Sequence, residues 1–159
     1  MSKARKSWQE KLADSKDLPK VVEITGKMST RWGTGSVCIP APREVDEIMG
    51  KVPRGKLITI NQIREIVARK HGATIGCPLT TGIFAGIAAR AAEEAAAEDK
   101  KDITPYWRTL KSKGELNEKY PGGVEAQAVH LEEEGHTIEP GRGKKPPKVK
   151  DFERTLVEV

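Results

Sequence analysis

The sequence predicts a mixed α/β domain of the α+β kind, organised around a helix-turn-helix and carrying short N- and C-terminal extensions. Two observations carry that expectation. First, two helical stretches with threonine caps are joined by a connection of about eight residues, which fits a helix-turn-helix variant with a long turn. One carries Ile60, Ile63, Ile66 and Val67 on a single face; the other runs from Thr80 or Thr81 to about Glu98. Second, two short runs, Val21 to Ile24 and Tyr106 to Leu110, read as strands.

The elements follow in order. Lys6 to Leu18 fits a short amphipathic helix with Trp8 and Leu12 on one side, and Val21 to Ile24 a strand. Gly26 to Gly35, with Trp32 between Arg31 and Gly33, reads as a loop. Beyond Pro40 and Pro42, the run Glu44, Val45, Ile48 and Met49 predicts a helix closing at Gly50. Val52-Pro53-Arg54-Gly55-Lys56 is a turn before Leu57-Ile58. Thr59 caps the next helix, and Gly72 closes it by taking the left-handed conformation. Ala73 to Leu79, with Cys77-Pro78, links it to a second helix rich in alanine and glycine. Then come a strand over Tyr106 to Leu110, a turn at Ser112-Lys113-Gly114, and a helix from Val124 to Glu134 ended by Gly135. The tail reads as a flexible basic stretch, Gly141 to Lys148, and an edge strand at Phe152 to Val157.

A chain of 159 residues suffices for one domain with a real core plus tails. Apolar residues make up 36% and aromatics 4%, so part of the chain is expected as solvated arm. The formal charge of +5 favours an anionic partner, most simply nucleic acid. Cations cluster at Lys3, Arg5, Lys6, Lys11, Lys16, Lys20, Lys27 and Arg31, and again at Arg142, Lys144, Lys145, Lys148 and Lys150. Acidic residues gather elsewhere, at Glu93, Glu94, Glu98 and Asp99 and at Glu132, Glu133 and Glu134. Phosphate contact and simple solubility are equally good readings of the terminal clusters.

Cys38 and Cys77 lack the partners of a disulfide framework or a metal site, and the three histidines, His71, His130 and His136, supply none. No metal and no cofactor is expected. The N-terminus has no apolar leader, and the stretch from Ile83 to Ala97 contains an arginine and glutamates, so no membrane span is expected. A cytoplasmic, monomeric protein with reduced thiols is the expectation. Cys77, just before a helix N-terminus, is either a thiol of lowered pKa or an idle loop cysteine.

The segment Thr104-Pro105-Tyr106-Trp107-Arg108, with Tyr120-Pro121-Gly122-Gly123 beyond it, resembles the active-site region of the alkylguanine-DNA alkyltransferases. There a strand end carries Pro-Cys-His-Arg and a nearby loop carries Tyr-Ser-Gly-Gly. Pro53 to Thr59 is similar to the family's Pro-x-Gly-x-Val-x-(Ser/Thr) lead-in, and Asn61-Gln62-Ile63 to its Gln-Gln-Leu. Thr80-Thr81-Gly82-Ile83-Phe84-Ala85-Gly86-Ile87-Ala88 resembles the recognition helix, Ala-Ala-Arg-Ala-Val-Gly-x-Ala, and Glu133-Glu134-Gly135 the closing helix end. The likeness divides the chain into a basic N-terminal extension (1–40), an alkyltransferase-like winged-helix DNA-binding domain (41–138) and a basic C-terminal tail (139–159).

The resemblance implies a recognition helix in the minor groove, an arginine in place of the extruded base, a tyrosine on the target phosphate and a cysteine that accepts the alkyl group. Position by position, the arginine is Gly82, the tyrosine Ile60, the cysteine Tyr106 and the histidine Trp107. Pro105, Arg108, Ser112, Gly114, Tyr120, Gly122, Gly123 and Glu134 match. A phenol is a far weaker nucleophile than a thiolate and an indole is no base, so no catalytic residue and no alkyl transfer are expected. The implied DNA-binding residues are Thr80, Thr81, Gly82, Ile83, Gly86, Arg90 and Lys111; the implied pocket residues are Ile60, Pro105, Tyr106, Tyr120, Pro121 and Gly122.

The function that the resemblance implies is non-catalytic binding of double-stranded DNA, of the alkyltransferase-like type, in damage recognition or repair, with repair proteins as further candidate partners. Two alternatives stand beside it: an enzyme of changed chemistry using Tyr106, Glu134 or Cys77, and a protein-interaction module that kept only the fold. As adjacent strand residues, Tyr106 and Trp107 would point to opposite faces, one into the core. Arg108 would be a buried hydrogen-bonding arginine.

Overall fold

The computed structural model describes residues 7–159; Lys3, Arg5 and Lys6 of the basic N-terminal cluster lie outside the described residues. Helix α1 (Trp8–Ala13) is shorter than the expected Lys6 to Leu18. Ser7 and Glu10 form a reciprocal cap at its start, each side chain meeting the other's backbone amide. Strand β1 (Lys20–Glu23) pairs antiparallel with β2 (Ser36–Ile39), with Val21 opposite Cys38. Between them, in place of the expected loop, Lys27–Trp32 forms helix α2. Its flanking glycines, Gly26 (φ 60°) and Gly33 (φ 80°), start and stop it, so the residues that suggest a loop are its boundaries.

Helix α3 (Pro42–Gly50) follows, with Pro42 in its first turn and the Glu44 carboxylate accepting from the Ala41 amide at 3.0 Å. After the short strand β3 (Ile58–Thr59), α4 (Ile60–His71) is capped as its sequence dictates. Thr59 Oγ accepts from the Gln62 amide at 3.2 Å, Gln62 Oε1 accepts from the Thr59 amide at 3.0 Å, and Gly72 ends the helix with φ 66°. Strand β4 (Ile75–Gly76) joins β2 in parallel, giving a three-stranded sheet in the order β1-β2-β4.

Helix α5 (Pro78–Ala97) is the 20-residue centre of the fold. It begins at Pro78 with Cys77 as the capping position, not at Thr80 or Thr81, because proline's fixed φ and missing N–H suit the first helical turn. The expected strand over Tyr106 to Leu110 divides in two. Tyr106–Arg108 is one turn of 3-10 helix after Pro105, and only β5 (Thr109–Leu110) is extended, parallel to β3. Helix α6 (Gly123–Glu133) is followed by an antiparallel pair, β6 (Ile138–Glu139) and β7 (Lys148–Val149).

The tail also departs from expectation. Its basic stretch is the loop of the β6–β7 hairpin, and Phe152–Thr155 is a 3-10 turn in place of the edge strand. Within the expected strand, Leu156 makes a ladder contact, parallel to Leu57: the Leu57 amide donates to the Thr155 carbonyl at 2.9 Å, and the Val157 amide to the Leu57 carbonyl at 2.8 Å.

The main core lies between α3, α4 and α5 and contains Val45, Met49, Ile63, Val67, Ala85, Ala89 and Tyr106. A second cluster gathers Leu57, Leu110, Leu116, Leu131 and Val149. Alanines on α5 allow close approach by its neighbours, among them α1, which lies along it. The Glu94 carboxylate on α5 accepts the Trp8 and Gln9 amides at 3.1 Å each, so it satisfies two of the free N–H groups of α1. Val37 and Cys38 of β2 are buried, so the N-terminal segment contributes to the packed interior. Cys38 and Cys77 are both free and buried. Burial, with the Glu44 charge nearby, pushes the Cys38 thiol up to about 11, leaving little thiolate at neutral pH.

Candidate nucleic-acid interface

Helix periodicity sorts the residues of α5 into two faces. Thr81 shares its stripe with Ala85, Ala88 and Ala92 and is 0% exposed. Its expected place on the outer surface is therefore corrected: it faces the core. Gly86 is buried as well, because the Arg90 side chain folds back over it; a Cβ there would meet the guanidinium at 3.0 Å. Thr80 is half-buried, and its hydroxyl is buried without a hydrogen-bond partner among the described residues.

The outer face belongs to Gly82, which has open space where a Cβ would stand, and to Leu79 and Ile83, 62% and 59% exposed. Sequence reasoning does not select Leu79. Its signal is an apolar residue four positions before Ile83, on the side opposite the alanine stripe.

Arg90 and Lys111 are engaged within the chain. The Arg90 guanidinium donates to the Lys119 carbonyl at 3.0 Å and lies 5.0 Å from the centre of the Trp8 ring. Lys111 Nζ pairs with Glu118 at 2.9 Å and 36% of its side chain stays exposed.

Behind α5 lies an aromatic cluster, and here the expected pocket is corrected. Tyr106 is 1% exposed and Tyr120 3%. Their rings meet edge to face at 5.4 Å, and Tyr106 makes the same contact with Trp107 at 5.4 Å. Trp107 in turn stacks on His130, with ring centres 4.0 Å apart. Ile60 packs against the same core. Pro105 and Pro121 are half-buried beside it, and Gly122, with φ 79°, caps α6 from an exposed position. Aromatic volume fills the region, with Tyr106 in edge-to-face contact with Tyr120, Trp107 and His130.

The Tyr106 hydroxyl donates to Glu93 Oε1 at 2.7 Å. Burial, followed by this carboxylate's hydrogen bond and charge, raises the phenol's pKa far above its ordinary value. It is a neutral donor at any physiological pH. Sequence reasoning misses Glu93 and His130, whose roles depend on contacts across the fold and leave no local pattern.

Trp107, where the resemblance implies a histidine, has a structural use. Trp107 Nε1 donates to Glu134 Oε2 at 2.9 Å, and Arg108 grips the same carboxylate through Nε at 2.9 Å and Nη2 at 2.8 Å. Arg108 Nη1 also donates to the Val52 carbonyl at 2.7 Å, so the arginine has the expected hydrogen-bonding role from a half-buried position. Burial alone would raise the Glu134 pKa, but the Arg108 and Trp107 hydrogen bonds and the Arg108 charge outweigh it and hold the carboxyl below its ordinary value. Gln127 completes the frame, donating to the Trp107 carbonyl at 3.1 Å and accepting from the Asn117 amide at 2.8 Å.

No protein-family model matches the chain, and a search of curated proteins found no match. Among solved structures, the chain is similar to S. pombe Atl1 in complex with damaged DNA containing O6-carboxymethylguanine. The TM-score is 0.52 at 20% identity, over 74% of this chain and 94% of that one. It is also similar to S. pombe ATL in complex with DNA, with a TM-score of 0.53, 20% identity and the same coverage. At that identity the likeness establishes architecture: this chain has the mixed α/β fold of the S. pombe alkyltransferase-like structures.

Proposed function

We propose that this chain is a non-catalytic protein of the alkyltransferase-like type that binds double-stranded DNA and serves in damage recognition or repair. One observation carries the reading. A fold shared with structures that hold DNA carries, where the resemblance implies the reactive cysteine, Tyr106, buried and hydrogen-bonded to Glu93. The outer face of α5, with Leu79, Gly82 and Ile83, is the duplex-facing surface, and its small central residue lets the helix approach the groove walls. Thr80 borders that face. The residues available to an enzyme of changed chemistry support the non-catalytic reading: Cys77 and Tyr106 are buried, and Glu134 is held in an ion pair.

The test is fluorescence anisotropy of labelled duplexes, with and without an O6-alkylguanine, across a salt series. Binding that falls steeply with salt is expected, because displaced counterions follow each phosphate contact. Tighter binding to the alkylated duplex assigns damage recognition; equal binding leaves a general duplex-binding protein. Absence of binding to both would sink the reading. After incubation with alkylated DNA, intact-protein mass spectrometry should show no added alkyl group on any residue.

A further inference from the structure

Resting on the DNA-binding reading, we infer that the β6–β7 hairpin is a second, preformed contact surface for the duplex backbone, continuous with the α5 face. The loop between its strands is built, not trailing. The Lys145 amide donates to the Arg142 carbonyl at 2.9 Å, and Gly141 lies so close against the Lys145 carbonyl that no side chain would fit. Pro146 and Pro147 stiffen its return. The hairpin is also fastened to the domain. The Leu116 amide donates to the Pro147 carbonyl at 2.9 Å, the Val149 amide to the Gly114 carbonyl at 3.0 Å, and Val149 sits in the second core cluster.

This construction gathers Lys111, Lys113, Arg142, Lys144, Lys145 and Lys148 around two clefts that share Lys145 and Pro146. The carboxylates lining the same clefts are Glu115, Glu118 and Glu139, and of these Glu118 is committed to Lys111. Among the described residues, Lys113, Arg142, Lys144, Lys145 and Lys148 make no ion pair. Like charges gathered around the same clefts repel one another, and an anion relieves that cost. A solubilising tail would spread its charges instead.

The surface connects to the recognition face through the loop before α6. Arg90 on α5 holds the Lys119 carbonyl, Glu118 next to it holds Lys111, and Lys111 lines the cleft that contains Lys144 and Lys145. Cations carried on separate elements, Arg90 on the helix and Lys144 and Lys145 on the hairpin, suit a phosphate backbone, whose charges extend beyond one contact point.

The experiment compares the full chain with the triple variant Arg142→Gln, Lys144→Gln, Lys145→Gln in the salt-series anisotropy assay. All three side chains are exposed, so the thermal midpoint should not move. The slope of log K against log salt should shrink by about 2 to 3, at roughly 0.9 for each phosphate no longer neutralised. Lys144→Arg with Lys145→Arg, which keeps the charges, should restore the wild-type slope. A triple variant that binds with the wild-type slope overturns the inference and leaves the DNA-binding reading standing. A wild-type chain that binds no duplex removes both. If the triple variant were unstable, Lys144→Glu alone should still reduce the slope by about 1 or more, and an unchanged slope there would equally overturn the inference.

Discussion

Gly82→Glu is expected to weaken duplex binding by more than about 100-fold and to leave the fold intact, since like charges brought together across an interface cost several kcal/mol. A side chain at this position points into open space on the outer face of α5, so the folded protein accommodates it without a clash. Replacing a helical glycine also gains up to about 1 kcal/mol of helix propensity, so the midpoint of thermal unfolding should hold or rise. On the duplex, the same side chain would set a carboxylate against phosphates and lift the helix off the groove. Gly82→Ala separates charge from bulk and should retain most of the affinity. Unchanged binding by the glutamate variant, measured by anisotropy beside a melting curve, would place the interface on another surface.

Removing the N-terminal segment through Arg31 is a poorer probe of phosphate contacts. It would strip α1 from α5, expose Glu94 without its partners and take β1 from the sheet, so a drop in affinity would report damage to the domain.

The largest effect on stability is expected from Arg108→Met. The Arg108–Glu134 pair is nearly enclosed, with the Glu134 side chain 3% exposed and that of Arg108 13%. Removing one partner of a buried pair strands the other's charge, at about 3 kcal/mol here, the low end because Arg108 retains some contact with water. For a domain of this size that corresponds to a midpoint lower by roughly 6 to 12 °C. Acidity supplies a check that ordinary packing damage would fail. In the wild type, Glu134 has a folded pKa below its ordinary 4.5, so its contribution is complete above that value and drains away as pH falls through the lower folded one. Without Arg108, burial dominates and raises the carboxyl instead, so the variant is penalised at neutral pH and recovers as Glu134 takes up a proton. The gap between the two melting curves should therefore narrow between pH 7 and pH 4. A gap independent of pH would mean that the arginine acts through packing.

Local chemistry makes some of this structure legible in the sequence. Thr59 and Gly72 set both ends of α4, because a cap and a left-handed glycine act within a few residues of the helix they bound. Helix α2 is obscured by its own glycines, and the start of α5 by two threonines that look like caps but lie inside the helix. At the candidate site, the resemblance draws attention to Tyr106, Trp107, Arg108 and Glu134, and the structure brings all four together. It does not show Glu93 as the partner of Tyr106 or His130 as the plate under Trp107; both depend on how α5 and α6 pack around the 3-10 turn. Thr81 is misplaced by sequence reasoning because small residues suit a groove-facing surface and a packed one alike. Only the phase of the helix separates them, and that phase depends on where the helix begins.

The pairing of Leu57 with Leu156 has a consequence for how the chain is made. Leu57 is 0% exposed, and the Thr155 carbonyl and Val157 amide satisfy its backbone. About a hundred residues separate the two partners, and at roughly 5 to 20 residues per second the second emerges some 5 to 20 seconds after the first. Over that interval α4 and α5 can form, each from its own neighbourhood, while the edge beside β3 stays bare. A nascent chain therefore carries an unpaired strand edge next to apolar side chains until the far segment arrives, and the crowded polysome is where this protein is most exposed to wrong partners.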